Sequence, residues 1–77
     1  MIIHFSRHAK RRAKLYNISE STIEEILIGI ELHDGENEII RDISGFKYPI
    51  KIVVYVEVER DMMTVITHYP LKKGKRQ

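Results

Sequence analysis

Between Ile50 and Val58 every second residue is a branched aliphatic: Ile50, Ile52, Val54, Val56 and Val58. A period of two belongs to an extended strand, whose side chains point alternately to opposite faces. A strand that is apolar on one side must bury that side. In a chain of 77 residues, 43% of them hydrophobic, one or two helices have to supply the cover.

The strand does not stand alone. Arg60-Asp61 reads as a turn, Met62 to Tyr69 as a returning strand, and Pro70 as its stop. A two-residue loop sets Glu59 opposite Met62 and Val58 opposite Met63. Cross-strand partners share a face. The expected core face therefore holds Ile52, Val54, Val56, Val58, Met63, Val65, Thr67 and Tyr69. The expected open face holds Lys51, Val53, Tyr55, Glu57, Glu59, Met62, Thr64, Ile66 and His68. On it Val53, Tyr55 and Ile66 form an apolar patch suited to a protein partner or a second copy of the chain.

Upstream, Ile2, Ile3 and Phe5 suit a short strand or a leading arm. Ser6 is placed to cap a helix that runs to about Tyr16, and Asn17 to end it in the left-handed region. Ser19 and Ser21 both offer caps for a second helix, with Ile18 as a staple. Ile23, Ile26, Leu27 and Ile30 mark that helix's apolar face. Asp34-Gly35 is a turn signal, Glu38 to Ile43 a short strand, and Ser44-Gly45 another turn. The expected architecture is α+β: two N-terminal helices on one face of a small, mainly antiparallel sheet of three or four strands. One domain is expected over residues 1–71, followed by a basic flexible tail at 72–77.

Charge is segregated along the chain. Arg7, Lys10, Arg11, Arg12 and Lys14 precede any acid, and Lys72, Lys73, Lys75 and Arg76 follow the last one. All 11 acids lie between Glu20 and Asp61. Two cationic ends point to an anionic partner, and phosphate is the commonest anion. Arg7, Lys10, Arg11, Lys14, Lys72, Lys73, Lys75 and Arg76 are the candidate nucleic-acid contacts. With no cysteine, thiol nucleophiles, disulfides and zinc-thiolate sites are excluded. No Gly-rich phosphate loop is present, no metal site or cofactor is expected, and no stretch is long enough to span a bilayer. A cytoplasmic location is the default expectation.

At about 100° per residue, Phe5, Ala9, Ala13 and Tyr16 share one stripe of the first helix. His8, Arg12 and Leu15 lie beside it, toward the core, while Arg7, Lys10, Arg11 and Lys14 face water. An inward guanidinium needs acceptors, because burying one unpaired is costly. Two readings follow. In one, His8 and Arg12 form a structural clasp between helix and sheet. In the other they form a site, with imidazole as acid or base and guanidinium as a phosphate clamp. Metal-independent RNA cleavage requires a base, an acid and a cation for the crowded phosphorane. His8, Arg12, His68 and Tyr69 are suitable types. The expected register puts His8 under the helices and His68 on the open face, so these groups would meet only at the sheet's edge.

His8-Ala9-x-x-Arg12, then Asn17-Ile18-Ser19, then Ile23-x-x-Ile26-Leu27, and later Thr67-His68-Tyr69-Pro70 resemble a family of small bacterial and archaeal domains of unknown function. That family is similar in layout to BrnT and, more distantly, to the RelE and ParE toxins. The resemblance implies two helices on one face of a mainly antiparallel sheet. It implies a toxin-like protein that cleaves or binds nucleic acid, or blocks an enzyme that processes it, and that is held by an antitoxin-like protein. His8, Arg12, Thr67 and Tyr69 match the closer family, in which they have no established role. Tyr16 and Asn17 stand where that family often has an arginine or similar residue. The alternative is a non-enzymatic interaction protein in which His8 and Arg12 are structural.

Overall fold

The computed structural model describes residues 1–72. Strand β1 (Ile2–Phe5) leads into helices α1 (Arg7–Tyr16) and α2 (Glu20–Ile28). Strands β2 (Gly35–Arg41), β3 (Ile50–Glu57) and β4 (Met62–Pro70) follow, with a short 3-10 turn at Val58–Arg60 between the last two. The sheet order is β1-β4-β3-β2. β1 runs parallel to β4, and the other pairs are antiparallel. This is the expected α+β class with four strands, in a mixed sheet. No described helix is long and apolar enough to cross a membrane.

Each helix starts where a serine satisfies an orphan amide. The Ser6 hydroxyl accepts from the Ala9 N–H at 3.0 Å, and the Ser19 hydroxyl accepts from Thr22 at 3.1 Å. Asn17 takes the left-handed conformation at φ 56°. The Ile18 N–H then reaches the Ala13 carbonyl at 2.9 Å, closing the helix end and turning Ile18 inward. Ile18 and Ile23 flank the Ser19 cap, and both are buried, which is the staple arrangement.

The core is one layer between helices and sheet: Ala9, Ile18, Ile23 and Leu27 against Phe5, Ile39, Ile50, Ile52, Val54, Val56, Met63 and Val65. Each large aliphatic among them contributes about 1.5–3 kcal/mol by leaving water. The buried Asn37 braces the entrance to β2. Its Nδ2 donates to the carbonyls of His33 at 2.8 Å and Gly35 at 3.0 Å. Its Oδ1 accepts from the His33 N–H at 3.2 Å.

The β3–β4 hairpin departs from the expected register in two ways. The loop is four residues, not two: Glu57 pairs with Met62 and Val56 with Met63. Asp61, at φ 52°, closes the turn. A shift of two preserves the faces, so Val56 and Met63 remain inward, but Val58 lies in the turn and is exposed. The second departure is a β-bulge. Val54 pairs with Val65 but Val53 with Thr67, leaving Ile66 as the extra residue. One extra residue exchanges the faces of everything after it. Thr67 and Tyr69 therefore leave the core face, and His68 enters it beside Ile52.

Ser6 holds this bulge. Its N–H donates to the Val65 carbonyl at 3.0 Å and its hydroxyl to the Ile66 carbonyl at 2.7 Å. The residue that starts α1 thus also captures two carbonyls at the irregular point of β4.

Candidate functional site

Arg7, Lys10, Arg11 and Lys14 are all exposed on the outer face of α1, as their spacing requires. None has an acidic partner among the described residues. Lys72 is also exposed. Lys73, Lys75 and Arg76 lie outside the described residues, as does most of the expected basic tail at 72–77.

Arg12 is half-buried at the flank of α1. Its Nε donates to His8 Nε2 at 3.0 Å, so that imidazole nitrogen is the acceptor. One Nη1–H donates to the Tyr16 hydroxyl at 3.2 Å. The guanidinium carbon lies 5.8 Å from the Tyr16 ring centroid and 5.7 Å from that of Tyr69, within cation–π range. The cation is held by neutral acceptors and ring faces. Tyr16, Tyr69, Pro70, Leu71 and Lys72 join Arg12 around an open cleft of about 400 Å³.

Two orientations on α1 differ from expectation. His8 is exposed, not inward, and Leu15 is 69% exposed. Ala9 is the one fully buried residue of α1 and Tyr16 packs half-buried against the core, while His8 and Leu15, at the margins of that stripe, stand out in water. His8 still meets Arg12, because i and i+4 side chains stack on one helix face.

His68 is the larger correction. Expected on the open face as a catalytic candidate, it is fully buried. The bulge at Ile66 is the cause. Its Nε2 donates to the Ala9 carbonyl at 3.1 Å, which leaves Nδ1 as the unprotonated nitrogen, buried with no partner. Burial holds its pKa below the ordinary imidazole value, reinforced by Arg12 and His8, while the Ala9 hydrogen bond and Glu20 oppose the shift. The polar clasp between helix and sheet exists, but it is built from Ser6, Ala9 and His68. His8, Arg12 and Tyr69 share a surface corner that His68 does not reach.

Tyr69 sits where the flank of α1 meets the open sheet face, opposite Lys51 in the register. Lys51 is bridged to Glu38 at 3.0 Å, and that hydrogen bond is the main reason its pKa is raised. On the same open face Val53 is half-buried, Tyr55 is 46% exposed and Ile66 37% exposed. The patch therefore exists, with Ile40 exposed on the neighbouring strand.

Tyr16 is the site residue that sequence reasoning missed. Its place on the apolar stripe of α1 points it to the core, against which it does pack, but its hydroxyl's bond to Arg12 has no sequence signal beyond the i, i+4 spacing. A second unforeseen feature is an apolar hollow of about 300 Å³ at the other end of the sheet, floored by Leu27, Val56 and Met63. The fold and the corner together define a small mixed-sheet α+β protein with a cationic helix beside an arginine–tyrosine cleft. Comparison with protein-family models, curated proteins and solved structures gave no match to this chain.

Proposed function

We propose that this chain is a toxin-antitoxin-like small protein that engages nucleic acid, with α1 as its phosphate-facing element. The observation that carries this reading is the unneutralised stripe of Arg7, Lys10, Arg11 and Lys14. These residues are neighbours at i, i+3 and i+4, where like charges cost a few tenths of a kcal/mol per pair. The first turn of α1 holds no acid, although a helix N-terminus favours one. A helix selected for stability alone would mix signs on this face. A polyanion removes the repulsion and releases its counterions.

Metal-independent RNA cleavage is the narrower form of the proposal. His8, Arg12 and Tyr69 remain as its imidazole, cation and hydroxyl, since sealed His68 supplies neither acid nor base. A second reading, a non-enzymatic interaction protein, is favoured by the uncovered patch of Val53, Tyr55 and Ile66. In it an antitoxin-like protein or a second copy covers the open face.

Induced expression tests the proposal. It expects growth arrest from the parent chain and relief by Arg12→Ala, with circular dichroism and thermal melting of the variant unchanged. Absence of arrest by the parent would count against the toxin-like reading. Relief accompanied by loss of folding would favour the structural role of the His8–Arg12 pair.

A further inference from the structure

We propose that the corner of Arg12, Tyr16, Tyr69 and Lys72 is a subsite for one unpaired nucleotide, with the base on Tyr69 and the phosphate on Arg12. The chain would then prefer single-stranded nucleic acid to duplex. The inference rests on the reading of α1 as a phosphate-facing helix and adds to it which form of nucleic acid is selected.

Arg12 gives the first reason. A half-buried guanidinium normally finds a carboxylate. Here its fixed partners are His8 Nε2, Tyr16 Oη and two ring faces, all of them neutral. The full positive charge is kept. A guanidinium carries five N–H donors, and with one given to His8 and one to Tyr16, three remain for phosphate oxygens. The two hydrogen bonds also fix its plane, so little side-chain entropy is left to lose when an anion binds.

The cleft gives the second. Its volume of about 400 Å³ falls within the usual range of small-molecule sites, about 300–1,000 Å³. Its lining combines a cation, two tyrosines, Pro70, Leu71 and Lys72, which suits a flat apolar base joined to a phosphate. Stacking on an aromatic ring is tolerant of base identity. A base inside a duplex is stacked and paired and cannot reach Tyr69. Duplex can therefore use only the outer face of α1, whereas a single strand can use that face and the cleft together.

The test is fluorescence anisotropy with a short fluorescein-labelled oligoribonucleotide of mixed sequence, single-stranded or annealed to its complement, at one salt concentration. The single strand is expected to bind about tenfold more tightly than the duplex. Tyr69→Leu should bring it down to the duplex level without changing duplex binding, and Tyr69→Phe should keep the preference. If Tyr69→Leu does not fold, Arg12→Met serves in its place and should abolish the preference equally. Equal binding of both forms, lost when the α1 cations are removed, would overturn the subsite and leave the phosphate-facing helix standing. Absence of binding to either form would overturn both.

Discussion

Replacing His68 with leucine should leave the protein about as stable as the parent near neutral pH and make it less sensitive to acid. The imidazole is fully buried, donates to the Ala9 carbonyl at 3.1 Å and keeps Nδ1 without a partner. Leucine forfeits the hydrogen bond, worth about 1 kcal/mol, and also removes the stranded acceptor, whose burial costs about 1–3 kcal/mol. Near pH 7.5 the two changes offset each other to within about 1–2 kcal/mol. The acid limb is where the variants separate. His68 has its pKa lowered from 6.5 by burial. Below the unfolded value, the unfolded chain binds a proton that the native state refuses. The associated stability is present above about pH 6.5 and is lost as pH falls toward the depressed folded value, at up to about 1.4 kcal/mol per pH unit. Urea titrations at a series of pH values from about 7.5 to 5 measure this slope directly. Subtracting the His68→Leu curve cancels the contributions of the other histidines. Parallel curves would refute the reasoning, because they would mean that His68 titrates in the native state as it does in the unfolded chain.

Ser6→Ala should cost about 1–3 kcal/mol in urea denaturation, since it removes the cap on Ala9 and the hydroxyl bonded to the Ile66 carbonyl; a loss under about 0.5 kcal/mol would mean that water replaces the hydroxyl. Asn37→Leu should cost about 2–3 kcal/mol, because the His33 N–H and the carbonyls of His33 and Gly35 lose their shared partner, and hydrogen exchange at residues 33–36 should quicken with it. Raising salt from low to moderate concentration should raise the melting temperature of the parent, by screening the cationic stripe of α1, more than that of an Arg11→Glu variant; an equal response would place the repulsion elsewhere.

Much of this fold is written locally. Ser6, Asn17 and Ser19 mark helix ends through bonds to amides three residues away or through one left-handed residue, so sequence spacing suffices to find them. The alternation from Ile50 to Val56 fixes the face of β3 in the same way. The second half of β4 is not local. Val65 and Ile66 are adjacent aliphatics, and either could be the inward residue on pattern alone. The choice is made by Ser6, some 60 residues away in sequence, which captures the carbonyls of both. That long-range contact decides that His68 is buried and that Tyr69 faces the flank of α1. The Arg12 corner was legible as a residue pair and illegible as a place. The i, i+4 spacing announces His8 and Arg12, but Tyr69 joins them only because of the bulge. The four-residue turn at 58–61 is not legible in the sequence, because Arg60-Asp61 satisfies a two-residue loop equally well.

The central claim, that α1 meets phosphate through its outer face, is tested most directly by the salt dependence of binding. The four outer-face cations should contribute about −3 to the slope of log K against log salt for a single-stranded oligoribonucleotide, the value for four neutralised phosphates. The variant with serine at positions 7, 10, 11 and 14 should bind far more weakly, with the slope reduced by about 3. A parent slope near zero, or an unchanged slope in the variant, would contradict it.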